Sequence, residues 1–139
     1  MKVEASGVYR KSEEIIESAL AGGCRSISYT YVEPTVFFEY AYDCCLAAFA
    51  KGLKNIFVSN GYMTKEIIVK LAPVLTAINI DLKSFSDEFY KKICGAKVQP
   101  VLDNIVGCRE AFLTPLLRMV AIFAVCIVKM PVYRRCREI

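Results

Sequence analysis

Asn79-Ile80-Asp81-Leu82-Lys83-Ser84-Phe85-Ser86-Asp87-Glu88 is the stretch that decides the fold. Polar and apolar side chains alternate through it, so a strand from Ala77 to Leu82 puts Asn79, Asp81 and Lys83 on one side and Ile80 and Leu82 on the other. Ser86, Asp87 and Glu88 then supply a capping oxygen and two carboxylates, the chemistry that opens a helix, which is predicted to run through Ile93 and stop at Gly95. Asp81 and Lys83 would each be costly to bury unpaired inside an apolar strand. They either pair with one another or face a polar opening at the strand's end.

Two more strand-helix units precede this one. Ile27, Tyr29 and Tyr31 alternate with Ser26, Ser28 and Thr30, and a helix-like run follows from about Thr35 to Lys51, closed by Gly52. A second strand, Asn55 to Val58, ends at Ser59-Asn60-Gly61, and a helix opens at Thr64 and ends at Pro73. Upstream of all three, Lys11 to Gly22 patterns as a helix with Ser12 at its start. The strand centres Ile27, Ile56 and Ile80 are 29 and 24 residues apart, a spacing expected when each strand crosses over through a helix and pairs in parallel with the next. The fold class is therefore α/β, a parallel sheet or barrel wall of about three βα repeats with right-handed crossovers.

In such folds ligands sit at the carboxyl ends of the strands. After the first strand comes Glu33-Pro34, where Pro34 biases Glu33 away from helix and presents its carboxylate on the loop. That carboxylate is either a ligand acceptor or a solvated group beside a helix-starting proline. After the second strand, Ser59 and Asn60 offer oxygens in a turn that Gly61 permits. By itself this loop reads better as turn chemistry. At the third, Asp81 and Lys83 read either as a structural ion pair or as part of a site. The coincidence of all three at one end of successive strands points to a site.

The chain has 139 residues, 55% hydrophobic and 23% charged, which suits one folded domain. Residues 1 to 105 hold twelve charges of each sign, so the whole +4 surplus lies in residues 106 to 139. No basic stripe runs along the folded part, and nucleic acid is not expected as a partner. With no His, a Ser-His-Asp triad, a Cys-His pair and a His-ligated metal are excluded. Seven cysteines, at 24, 44, 45, 94, 108, 126 and 136, form no C-x2-C or C-x3-C pair, so neither a local zinc loop nor an iron-sulfur loop is expected. The odd count and a charged, helix-patterned start predict reduced thiols and a cytoplasmic protein.

The words Ser28-Tyr29-Thr30-Tyr31-Val32-Glu33-Pro34-Thr35, Val58-Ser59-Asn60-Gly61-Tyr62 and Asn79 through Tyr90 together resemble the radical S-adenosylmethionine (SAM) enzymes. The nearest likeness is to relatives of the pyruvate formate-lyase activating enzyme, in particular the AmmeMemoRadiSam-system branch, and Cys94-Gly95-Ala96-Lys97 with Gln99-Pro100-Val101-Leu102 fits it too. The resemblance spans about residues 11 to 105 and implies part of a TIM-like (βα)6 barrel. It implies that Glu33, in its Glu33-Pro34 word, receives the methionine ammonium of S-adenosylmethionine. It further implies that Ser59, with Asn60 beside it, Asp81 and Lys83 line the carboxylate and ribose side, where relatives also hold a monovalent cation. Val58 stands where relatives have Asp.

The family's chemistry depends on a C-x3-C-x2-C loop that holds a [4Fe-4S] cluster, and this sequence contains no such loop. Side chains alone cannot supply the low-potential electron that cleaves a sulfonium. Met1 falls just before what would be the second barrel repeat, so the expectation is a fragment that keeps part of the S-adenosylmethionine pocket, with residual affinity at best, no catalytic residue and no metal of its own. Residues 1–105 are read as the partial barrel and 106–139 as a divergent or frameshift-like hydrophobic, basic tail. From Ala111 to Val128 that tail would make a helix of about 27 Å, but Arg118 and Pro115 interrupt it and Met119 to Val128 is short enough for a strand. Two other expectations stand beside the fragment. One is a noncatalytic subunit docking a protein partner through its open sheet edge. The other, resting on the tail alone, is a small membrane-associated protein.

Overall fold

A computed structural model describes residues 10–112 and 119–124, the last strand and residue 112 by backbone alone. Four strands form one sheet in the order β1-β2-β3-β4, all parallel: β1 Ser26–Tyr29, β2 Lys54–Ser59, β3 Ala77–Leu82 and β4 Met119–Ala124. Helices α1 Ser12–Ala21, α2 Phe38–Ala50, α3 Lys65–Leu71 and α5 Gln99–Phe112 alternate with them, and a short α4, Asp87–Phe89, passes into a π-helical turn at Tyr90–Cys94. Register aligns Tyr29 with Phe57 and Phe57 with Ile78, so these side chains share a face.

Each right-handed crossover steps one strand in the same direction, which places the connecting helices on a single face. Burial follows that rule. Asn55, Phe57 and Ser59 of β2 and Ile78, Ile80 and Leu82 of β3 are buried, whereas Ile56, Val58, Asn79 and Asp81 are half-buried and Ser26 and Ser28 are exposed. The core joins Tyr29, Phe57, Ile78, Ile80 and Leu82 to Cys44 and Cys45 of α2, Ile68 and Leu71 of α3 and Val101 and Cys108 of α5. Each large aliphatic or aromatic side chain so buried contributes roughly 1.5–3 kcal/mol. A smaller cluster, Ile16, Ala48 and Leu53, fastens α1 to α2.

Several expected boundaries shift for local reasons. The first strand stops at Tyr29 instead of reaching Tyr31, because Tyr31 adopts a left-handed backbone with φ 69°. Helix α2 starts at Phe38 and not Thr35, since Thr35 is held in a turn in which Val36 N–H donates to the Glu33 carbonyl. Ser12 does not cap α1: Lys11 occupies the cap without a side-chain bond, and the Ser12 hydroxyl donates to Glu13. Ser86 does cap α4, accepting from Phe89 N–H at 3.2 Å.

Helix α5 was not anticipated. It runs without a break across residue 105, turning Val101, Leu102, Asn104, Ile105 and Cys108 inward, and leads to β4. Of the sequence's tail, residues 113–118 and 125–139, with Pro115, Arg118, Cys126, Lys129, Arg134, Arg135 and Arg137, lie outside the described residues. Among the described residues no helix is long and apolar enough to cross a membrane.

Candidate functional site

The loop after β1 reverses through Tyr31 and then buries Pro34, leaving Glu33 half-buried above the sheet. Its carboxylate joins two loops. Oε1 accepts from Ser59 Oγ at 2.8 Å, Thr35 Oγ1 at 2.9 Å and Thr35 N–H at 3.3 Å, and Oε2 accepts from Asn60 N–H at 2.8 Å. Three of four donors thus converge on Oε1, while Oε2 takes one and keeps acceptor capacity.

Ser59 is spent in this network. Its hydroxyl donates to Glu33 and accepts from Gly61 N–H at 3.0 Å, and the residue is 2% exposed. It holds Glu33 in place and has no free face for a ligand. The Asn60 side chain accepts from Tyr62 N–H at 2.8 Å, closing a turn in which Gly61 takes φ 75°. From α5, Asn104 Nδ2 donates to the carbonyls of Gly61 at 2.9 Å and of Met63, pinning the far side of that loop.

At the end of β3, Lys83 Nζ pairs with Asp81 Oδ2 at 2.8 Å, with both side chains roughly 30% exposed (31% and 28%). Asn79 Nδ2 donates to Asp81 Oδ1 at 2.9 Å. Asn79 Oδ1 is buried and has no hydrogen-bond partner among the described residues. Leaving a buried acceptor unmet costs about 1–3 kcal/mol. Lys83 N–H donates to the Tyr90 hydroxyl at 3.1 Å.

The six residues singled out in the sequence therefore fall into two groups at the same end of the sheet. Glu33, Pro34, Ser59 and Asn60 form one and Asp81 with Lys83 the other. Thr35, Asn104 and Tyr90 were missed. Thr35 carries a legible signal, a hydroxyl two residues past a loop carboxylate. Asn104 and Tyr90 come from helices whose placement no local pattern reveals.

Among the described residues no three of His, Cys, Asp and Glu gather as a metal would need. Cys44, Cys45 and Cys108 are buried in the helical layer, while Cys24 and Cys94 are exposed on separate elements. Burial pushes the Cys45 thiol up to about 12 and that of Cys108 up to about 11, and raises Cys44 as well, so these three stay protonated at neutral pH. Protonated thiols scattered in this way do not fit a [4Fe-4S] cluster. Of the strand-end acceptors, Glu33 Oε2 has acceptor capacity left, which would suit the ammonium of S-adenosylmethionine.

The family model described as the radical SAM superfamily matches residues 5–129. The chain belongs to this superfamily. An uncharacterized protein of Methanocaldococcus jannaschii is 48% identical over 92 residues, which are 66% of this chain and 27% of that protein. A solved domain of a pyruvate-formate lyase-activating enzyme from Bacteroides vulgatus superposes with a TM-score of 0.56 at 21% identity, covering 62% of this chain and 53% of that one. The latter likeness is one of fold: the sheet of this radical SAM chain is part of the same parallel (βα) barrel. The chain spans about a quarter of its archaeal relative. Superfamily members use S-adenosylmethionine and a [4Fe-4S] cluster, and among the described residues of this radical SAM chain no group could hold the cluster.

Proposed function

We propose that this chain forms the amino-acid side of an S-adenosylmethionine pocket in a radical SAM enzyme of the activating-enzyme-like branch, binding and orienting the cosubstrate without generating a radical by itself. The observation that carries the reading is the placement of Glu33, of Ser59 with Asn60, and of Asp81 with Lys83 at the carboxyl ends of the adjacent strands β1, β2 and β3. Glu33 Oε2 receives the methionine ammonium, Lys83 faces the carboxylate, and Asp81 holds Lys83. Ser59, Asn60 and Thr35 fix the Glu33 carboxylate, and Pro34 shapes its loop. Low-potential iron-sulfur chemistry belongs to ligands outside the described set.

Titration calorimetry of the chain with S-adenosylmethionine tests this. Millimolar-range binding is expected, weakened roughly tenfold or more in Glu33→Gln, because a hydrogen bond to a charged group is worth about 1.5–3 kcal/mol. Equal heats for the two proteins would remove Glu33 from the pocket. Iron uptake with 5′-deoxyadenosine production by this chain would overturn the noncatalytic part.

A second reading is favoured by the sheet face opposite the helices, which no described helix covers. Parallel sheets are ordinarily covered on both sides, yet Ser26 and Ser28 are exposed on the face opposite the helices and Ile56 and Val58 are half-buried there. In this reading the chain is a subunit whose β1 edge and bare face are completed by a protein partner, with a second copy standing in when the partner is absent. Light scattering after size exclusion at about 100 µM is then expected to give a mass well above 15.6 kDa. A clean monomer would dismiss it.

A further inference from the structure

Lys83 is the first residue beyond β3, whose pairing with β4 ends at Leu82 opposite Ala124. Its N–H has therefore left the strand ladder, and the acceptor it finds is the hydroxyl of Tyr90 at 3.1 Å. Tyr90 is 3% exposed and stands where α4 passes into the π-helical turn. Its backbone is held from both sides: Tyr90 N–H donates to the Ser86 carbonyl at 3.1 Å, and its own carbonyl accepts from Ala96 N–H at 3.1 Å just past the left-handed Gly95. A π-helical turn is an uncommon element that recurs at functional sites. Here it sets a buried phenol against the backbone of a strand-end lysine whose amine lies 2.8 Å from Asp81.

We propose that Tyr90 is a positioning residue for Lys83: its hydroxyl fixes the backbone at the end of β3 and thereby aims the Lys83 amine, braced by Asp81, at the carboxylate of S-adenosylmethionine. The inference rests on the pocket reading above and deepens it. Tyr90 touches no cosubstrate itself. Its effect is confined to whatever Lys83 reads, which a general loosening of the fold would not be.

The test compares two ligands on the full chain. S-adenosylmethionine carries the carboxylate and 5′-methylthioadenosine lacks it. Tyr90→Phe, which keeps the ring and its packing, is expected to weaken binding of the first about fivefold, the effect of one modest hydrogen bond, and to leave the second unchanged. Lys83→Ala should show the same selectivity, and Tyr90→Phe added to Lys83→Ala should change nothing further. Proportional loss of both ligands in Tyr90→Phe, or no loss of either, overturns the proposal. If the wild-type chain binds neither ligand, the pocket reading fails, and amide hydrogen exchange decides the anchor separately. Exchange at Lys83 at least about tenfold faster in Tyr90→Phe, with Ile80 unchanged, supports it. Unchanged exchange at Lys83 overturns it.

Discussion

Gly61→Ala is expected to lower the unfolding free energy by about 2–5 kcal/mol, from two independent causes. The residue sits at φ 75°, where a Cβ costs roughly 1–2 kcal/mol. The added methyl would also lie 2.7 Å from Ile80 Cγ2 and 3.1 Å from Val101 Cγ1, both in fully buried side chains of the core. Overpacking of that kind costs typically about 1–3 kcal/mol. Gly52 separates the two causes, because it shares a left-handed φ of 77° with nothing within 4 Å of its would-be Cβ. Gly52→Ala should therefore lose only about 1–2 kcal/mol. Urea midpoints at unchanged m-value measure both. Equal losses for the two variants would show that the loop relaxes away from Ile80 and does not seat the turn as tightly as described. Because Gly61 follows Ser59 and Asn60, the same strain would be carried into the Glu33 network.

How much of this was legible in the sequence depends on how local each cause is. The three strands and their parallel order follow from alternation and spacing, and β3 shows it most plainly, since Asn79 and Asp81 face one way and Ile78, Ile80 and Leu82 the other. Boundaries were misread where a side chain from one loop overrode local propensity. The Glu33 carboxylate takes both the amide and hydroxyl of Thr35, and the helix cannot begin until Phe38. Helix α5 escaped because the sequence reading sets the barrel's boundary at residue 105, inside the helix, and because the inward face of Val101, Ile105 and Cys108 includes polar Asn104 and is interrupted by Gly107. Asn104 is inside because the Gly61 and Met63 carbonyls need a donor there, a demand made forty residues away. The candidate site shows the same division. Glu33, Asp81 and Lys83 were readable as strand-end polar groups, whereas the conversion of Ser59 from apparent ligand contact to buried support depends on its 2.8 Å bond across to another loop.

The largest polar effect is expected at a residue that no local pattern singles out. Asn55 is fully buried in β2 and joins three elements: its Nδ2 donates to the Cys45 carbonyl of α2 at 2.9 Å and to the Val74 carbonyl past α3 at 3.0 Å, and its Oδ1 accepts from the Tyr29 hydroxyl of β1 at 3.2 Å. Asn55→Leu nearly preserves volume but strands the Val74 carbonyl, takes the second donor from the Cys45 carbonyl, which keeps its helical amide, and leaves the Tyr29 phenol with only the Cys45 thiol. At about 1–3 kcal/mol for the unmet Val74 carbonyl and about 1 kcal/mol for the two weakened groups, the expected loss is roughly 2–4 kcal/mol, a large share of an ordinary domain's stability. The phenol's part can be isolated. In the Asn55→Leu background, Tyr29→Phe removes a hydroxyl left with only the weak Cys45 thiol and should be nearly neutral, whereas in the wild-type chain the same change should be destabilising by about 1 kcal/mol. That difference between backgrounds is the diagnostic result, read from urea unfolding of the four proteins. If Asn55→Leu unfolds at the wild-type midpoint, the helices are held to the sheet by apolar packing alone and Asn55 is a passenger in the core. If the loss is large but Tyr29→Phe harms both backgrounds equally, the phenol's contribution is its bond to the Cys45 thiol and not its bond to Asn55.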